Sequence, residues 1–436
     1  MNYGFLEYKF SDKKNVNTML LYGLIFFTIV FSRDTLYTTV KFGFFTTFSL
    51  NVAMITFSYI YLIVRYRGKI QVMRKPTITV AMLIGILIIV SLIKLDFQMY
   101  IISIIFYILT ALLFIHIYTF EGFFSKYSNI ITFLAAYSII ICYIIRPIIF
   151  EIGTNSNLIG VITNSAELSF FDLGLGFIVS KSYYLRNFGI FREPGIYQFF
   201  LLIALFYELL FRKYRYRYFN AIVVALAILS TFSPPGILVM GIVIILHIIK
   251  LKRLEQINKN HIIVITATIV VGTIIFFYLY FNNSNFYDVV TQSIKKLFTH
   301  NDSSSTRIQS LTRNIGLFFN SPIWGNDFEV VQNGPIYNTN TTFSTLAMFG
   351  VFVGIMKLKL FYELSKKIDG KLDIVIATFF SFIVLINTQF LLGNSMFWIL
   401  IFSSFMIEDN SNDDNQWDLE KWMKNLSKTV TGFIRK

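Results

Sequence analysis

The chain has few of the residues from which soluble catalytic sites and covalent cross-links are usually built. Its 436 residues include one cysteine and four histidines, and only 14% of them are charged. The single cysteine, Cys142, excludes a disulfide framework within the chain. No two histidines have the spacing of metal ligands, so we expect no histidine-based metal site and no resident metal.

Two larger features are also missing from the sequence. It contains no Gly-x-x-x-x-Gly-Lys-Ser/Thr loop, which would cradle the phosphates of a nucleotide. It contains no internal repeat of the kind that many secondary transporters carry. We therefore expect neither a nucleotide-driven enzyme nor a cofactor.

Apolar residues dominate what is present. The chain is 55% hydrophobic, with a mean hydropathy of +0.63. Apolar runs of about 20 residues span a bilayer as helices, because lipid leaves backbone groups no other partner. This predicts an all-α, polytopic membrane protein of about twelve helices. The runs are 17–32, 43–64, 77–93, 98–118, 129–150, 196–211, 218–233, 236–250, 261–281, 341–358, 373–390 and 393–407.

The net charge of +14 is explained by topology rather than by nucleic-acid binding, so we expect no nucleic-acid partner. With the N-terminus in the cytoplasm, 27 of the 38 lysines and arginines fall on the cytoplasmic side. Both termini are then cytoplasmic. Residues 1–407 form one transmembrane domain with two long outside loops, 151–195 and 282–340, and 408–436 form a cytoplasmic tail.

The first outside loop ends in a charged segment at the mouth of a membrane helix. Arg186, Arg192 and Glu193 immediately precede Pro194, which fits a first helical turn. Helix N-termini attract anions, and guanidinium groups bind phosphate bidentately. This pattern predicts a phosphate or diphosphate site, with Glu193 as a general base or as the partner of Arg192. The alternative is ordinary ion pairing at a membrane interface.

The second outside loop has a comparable arrangement. Thr306 and Gln309 have the spacing of a capping box, which would start a helix with Arg307 in its first turn. Arg313 lies further along on a different side. The apolar face of this helix consists of Ile308, Leu311, Ile315 and Phe318. The alternative is an amphipathic helix that lies on the membrane surface.

Other polar residues are weaker candidates. Arg146 lies near the outer end of the fifth apolar run, where a charge is either functional or snorkels to the interface. The outside acids, including Asp172, form no cluster of the DxD type. We therefore expect arginines, rather than a divalent cation, to neutralise a bound anion.

Three segments resemble the O-antigen polymerase (Wzy) and O-antigen ligase superfamily of bacterial membrane glycosyltransferases. The first runs from Arg186 to Pro194, the second from Ser305 to Gly325, and the third from Asn338 to Gly350. Their order, spacing and side of the membrane agree with the family. The ligase branch usually has a histidine just before the asparagine of the third segment, where this chain has Tyr337, and this favours the polymerase.

The resemblance implies a GT-C-like enzyme in the bacterial inner membrane. It would move a glycan from undecaprenyl pyrophosphate to the non-reducing end of a lipid-linked repeat unit, in O-antigen or capsule biosynthesis. Its partners would be that lipid-linked oligosaccharide, a chain-length regulator and a flippase. The implied catalytic residues are Glu193, Arg192, Arg307 and Asp172, and the implied substrate-binding residues are Arg186, Arg313, Arg146, Asn338, Asn340 and Tyr197.

Three alternatives remain at this point. A ligase would use the same donor but transfer the glycan to the lipid A core. A lipid-linked oligosaccharide flippase would handle the same substrate without chemistry, and it would be expected to show internal pseudo-symmetry and cations inside the bundle. A channel or solute transporter is the third alternative.

Overall fold

The computed structural model describes residues 18–66, 73–95, 99–152, 160–163, 169–179, 186–212, 217–253, 291, 302–332, 338, 340–368, 370–387 and 389–408. The described residues are 81% helical. The predicted span 261–281 and most of the tail, 409–436, lie outside them.

Every apolar run that falls on described residues contains a helix. The helices before the first outside loop are α1 (Thr18–Val30), α2 (Gly43–Tyr66), α3 (Arg74–Lys94), α4 (Met99–Ile117), α5 (Phe120–Ile140) and α6 (Arg146–Ile152). Those between the two loops are α7 (Pro194–Phe206), α8 (Arg217–Ser230) and α9 (Pro234–Arg253). The remainder are α10 (Asp302–Asn320), α11 (Phe328–Gln332), α12 (Thr341–Ile368), α13 (Leu372–Ile386) and α14 (Ser395–Phe402).

Length and composition make six of the described helical segments able to cross a membrane, and five further apolar helices are shorter, at 10–17 residues. This architecture fits a helical membrane protein. The six are Arg74–Lys94, Met99–Ile117, Phe120–Phe150, Pro194–Phe211, Pro234–Arg253 and Thr341–Lys367.

The segment that begins with α7 lies at the centre of the helical bundle. Its 18 residues, Pro194–Phe211, are 94% buried, which is far more than in the other five spanning segments. Tyr127 of α5 donates a hydrogen bond to the carbonyl of Phe200, and the Phe206 ring stacks on Phe382 of α13, with centroids 4.9 Å apart. The charged segment before Pro194 therefore leads directly into the middle of the fold.

The predicted span 341–358 is not one straight helix. Lys357 Nζ lies 3.0 Å from the carbonyl oxygen of Thr341, although 16 residues of straight helix would separate their backbones by about 24 Å. The chain reverses at Gly350, where φ is 75° and ψ is −172°. A side chain there would collide with the carbonyl oxygen of Ile323, so only glycine permits this turn. Residues 341–349 therefore fold back along the arm that follows.

The segment 151–195, which is predicted to be an outside loop, contains a small sheet that the all-α prediction missed. Strands β1 (Gly160–Thr163), β2 (Ser169–Asp172) and β3 (Phe177–Val179) are antiparallel and ordered β1-β2-β3. Open sheets are excluded only within lipid, so a sheet is compatible with the predicted loop. The amide of Phe177 donates to the carbonyl of Gly189, so the sheet also supports the segment that leads into α7.

Candidate functional site

The Arg192 side chain is held by an aspartate that lies far away in the sequence. One Arg192 guanidinium nitrogen is 3.3 Å from Asp34, which follows α1, and the second Asp34 carboxylate oxygen accepts from Asn394 at 2.8 Å. The Arg192 amide donates to the carbonyl of Asp34, and Thr35 forms an antiparallel bridge with Phe191. The segments after α1, before α7 and before α14 thus meet at one end of the bundle, which we call the site end.

Arg307 lies within electrostatic range of Glu193 and Arg186. Burial lowers the pKa of the Arg307 guanidinium, the Glu193 carboxylate raises it, and the Arg186 guanidinium lowers it. The two predicted outside segments therefore approach each other here. Glu193 has an extended backbone and its carboxylate does not cap α7. The sequence left Glu193 as either a general base or the partner of Arg192. Asp34 is the ion-pair partner of Arg192, and the Glu193 carboxylate lies within electrostatic range of Arg307.

Arg186 and Asn187 attach the motif to α8 and α5. Arg186 Nε donates to the carbonyl of Thr231 at 3.0 Å. The buried Asn187 amide donates to the hydroxyls of Ser138 and Ser230, both at 2.9 Å, and its oxygen accepts from the Gly189 amide. These bonds fix the backbone that follows Arg186, so the packed bundle positions its guanidinium.

The helix that carries Arg307 docks through polar residues, contrary to the expectation from its apolar face. Ser310 and Asn314 are buried, whereas Ile308 is 52% exposed. The predicted capping box is wrong, because α10 begins four residues earlier, at Asp302. An acidic residue followed by three serines is itself a good helix start. Arg307, Ser310 and Asn314 share one helical face, so the buried polar contacts set the direction of Arg307.

Asn338 and Asn340 are the residues that Ser310 and Asn314 of α10 contact. The Asn314 amide donates to Asn338 at 3.1 Å and to Ser344 at 3.2 Å, and Asn340 donates to Ser310 at 3.2 Å. Both asparagines are almost fully buried. The structure therefore shows them attaching α10 to α12. Their predicted contact with substrate stays a prediction.

Of four further candidates, Tyr197 joins the Asn187–Ser138 contact, and Arg313, Arg146 and Asp172 have other partners. Tyr197 is fully buried, with its hydroxyl 2.9 Å from that of Ser138, and it supports the backbone of Gly189 from beneath. Arg313 donates to the carbonyls of Val330 and Val331. Arg146 is buried over the Phe150 ring, and Asp172 accepts from the amide of Gly174 at 3.1 Å.

Sequence reasoning missed several residues at the site end. Arg33 and Asp34 directly follow the first apolar run, on the predicted outside, where few basic residues lie. These two charges beside a membrane helix could have marked them as candidates. Asn394 gave no signal, because only the fold brings it to Asp34. Lys357, counted as cytoplasmic in the topology, is instead buried and donates to the Thr341 carbonyl and the Thr345 hydroxyl.

The donor set at the site end suits an anion better than a cation. The charged groups there are four guanidiniums and two carboxylates, which lie in two neighbouring groups: Arg33, Arg192 and Asp34, and Arg186, Arg307 and Glu193. Among the described residues, no group of three histidine, cysteine, aspartate or glutamate side chains is placed to hold a metal ion. No model of a known protein family matches the chain, and no curated protein matches it.

Proposed function

We propose that the protein is a polysaccharide polymerase that uses polyprenyl-diphosphate-linked glycans. The glycan on undecaprenyl diphosphate is transferred to the non-reducing end of an incoming lipid-linked repeat unit. The observation that carries the proposal is that Arg307 lies within electrostatic range of Glu193 and Arg186, in the segment that leads through Arg192 into the central helix. In this proposal the site end faces the outside of the bacterial inner membrane.

The chemistry follows from these charges. The acceptor hydroxyl oxygen attacks the anomeric carbon of the donor, and the bond from that carbon to the diphosphate oxygen breaks. The bonding electron pair leaves with the diphosphate, whose growing charge Arg186, Arg192 and Arg307 neutralise. Glu193 takes the hydroxyl proton as general base. No nucleotide is consumed, because the sugar–diphosphate bond supplies the free energy.

Glu193 is a better base than Asp172 on the described contacts. The Glu193 carboxylate raises the pKa of Arg307. Asp172 instead accepts a hydrogen bond from the Gly174 amide and raises the pKa of Tyr37. A base has to reach the hydroxyl in the same complex in which arginines hold the leaving group. Only Glu193 of the two is adjacent in sequence to one such arginine and electrostatically coupled to another.

The test is reconstitution with a synthetic repeat unit linked to undecaprenyl diphosphate. The wild type should give a polymer ladder on a gel, and Arg192→Ala and Arg307→Ala should abolish it at equal protein level. Lys366→Ala, which removes an exposed cation that pairs with Glu363, is the matched control and should polymerise normally. Normal ladders from both arginine variants would refute the site. Translocation of the unit without polymer would favour the flippase, and transfer only to lipid A core would favour the ligase.

A further inference from the structure

A second arginine, Arg33, lies in the turn that carries Asp34, the partner of Arg192. The Arg33 guanidinium carbon is 5.1 Å from the centroid of the Tyr100 ring, so the cation lies over the aromatic face. A Cβ on Gly393 would lie 3.0 Å from Arg33 Cδ, so the missing side chain lets Arg33 lie along this turn. Tyr100 in turn packs on Phe328, with ring centroids 4.2 Å apart. Arg33 is therefore held in a defined place.

Tyr100 carries a polar atom that the protein does not use. Its side chain is buried, and among the described residues its hydroxyl has no hydrogen-bond partner. Buried hydroxyl groups are nearly always bonded, so an unbonded one indicates an absent acceptor. This hydroxyl lies within electrostatic range of Arg33, Asp34 and Arg192. An anionic oxygen placed among the guanidiniums would supply the acceptor.

Two neighbouring residues of one segment lead to two groups of charges. Arg192 reaches Asp34, and the Tyr100 hydroxyl lies within electrostatic range of both, while the Glu193 carboxylate lies within electrostatic range of Arg307. Arg192 and Arg33 accompany Asp34 in one group, and Arg307 and Arg186 accompany Glu193 in the other, so guanidiniums outnumber carboxylates among the named residues of both groups.

We propose that Arg33 and the Tyr100 hydroxyl, together with Arg192, bind a second phosphate group, next to the one assigned to Arg186 and Arg307. The ligand class, a polyprenyl diphosphate, rests on the proposed function. The second phosphate belongs to the same diphosphate or to the diphosphate of a second lipid. A polymerase has two such lipids, whereas a ligase acceptor has no polyprenyl diphosphate.

Calorimetric titration of the full-length protein in detergent with farnesyl diphosphate and farnesyl monophosphate tests this proposal. Arg33→Gln should weaken diphosphate binding about ten- to hundredfold, and Tyr100→Phe about three- to tenfold, as expected for lost charge-assisted and ordinary hydrogen bonds. Tyr100→Phe removes only an unbonded hydroxyl, so it should fold normally. Tyr118→Phe, which loses a bond to the Leu21 carbonyl at the other end of α4, is the control and should bind as wild type.

The stoichiometry identifies the source of the second phosphate. If both phosphates belong to one diphosphate, the wild type binds one molecule, and Arg33→Gln binds diphosphate about as weakly as monophosphate. If they belong to two lipids, the wild type binds two molecules and Arg33→Gln binds one. Unchanged affinity and stoichiometry in both variants would overturn the second subsite while leaving the proposed function intact. A wild type that binds no diphosphate would overturn both.

Discussion

Asp34 and Arg192 form an ion pair of 3.3 Å that joins the turn after α1 to the entrance of the central helix. Asp34 is almost fully buried and Arg192 is partly exposed, so the aspartate holds the arginine where solvent still reaches it. The sequence suggested Glu193, the adjacent residue, as a partner of Arg192. The fold instead supplies Asp34, from the turn after α1.

Asp34→Asn should impair the reaction more than the fold. The substitution keeps the shape and an acceptor for Asn394, but it removes the charge that orients Arg192. We expect kcat/KM for polymerisation to fall about ten- to hundredfold, with a Tm within a few degrees of wild type. Glu363→Gln is the matched control, because it breaks an exposed pair of the same 3.3 Å length. Equal activity of the two variants would contradict the role given to Asp34.

Glu193→Gln should separate substrate binding from chemistry. Loss of a general base lowers kcat about a hundred- to ten-thousandfold, while diphosphate affinity should hold or improve, because one negative charge next to Arg307 is removed. Asp172→Asn should keep kcat within about threefold of wild type. Single-turnover assays and ligand titration measure the two effects. The opposite ranking of the two variants would make Asp172 the base.

Asn314→Leu should act through Arg307. The variant loses the donors to Asn338 and Ser344, which leaves buried acceptors unpaired and costs about 1–3 kcal/mol of stability. Gln309→Ala, an exposed change on the same helix, should be neutral. If Asn314 acts by positioning Arg307, the double variant Asn314→Leu/Arg307→Gln should have the same kcat/KM as Arg307→Gln alone. Additive losses would show that Asn314 serves stability only.

Gly350→Ala should prevent folding of the second outside region onto the bundle. The positive φ and the collision with the Ile323 carbonyl oxygen together cost about 3 kcal/mol or more. Gly85→Ala is the control, because a Cβ there meets nothing within 4 Å and lies inside a helix. That change should stabilise the protein by about 0.5–1 kcal/mol. Thermal unfolding in detergent compares the two, and a Gly350→Ala protein as stable as wild type would contradict the reversal.

The apolar pattern predicted the helices well, because hydrophobicity over a run of residues is a local property. Even the separation of the predicted runs 218–233 and 236–250 appears, since α8 ends at Ser230 and α9 begins at Pro234. The same reasoning failed at Gly350. A sharp reversal inside an apolar run leaves hydropathy unchanged, and only the collision with Ile323 shows why glycine is needed there.

The site was partly predictable for a related reason. Arg186, Arg192, Glu193 and Arg307 stand out because charges beside apolar runs are rare. Asp34 and Asn394 are 360 residues apart, and no local pattern joins them. The polar dock of α10 was missed because its apolar residues give a stronger periodic signal than Ser310 and Asn314, which are the buried ones.

The central claim is that a phosphoanion binds where the two outside segments meet. Photo-cross-linking with a farnesyl diphosphate that carries a diazirine beside the phosphates, followed by peptide mapping, tests it directly. The account predicts labelled peptides from 186–193 and from 302–320, both protected by excess inorganic pyrophosphate. Labelling confined to the opposite end of the bundle, near Glu208 and Arg212, or labelling that pyrophosphate does not reduce, would contradict it.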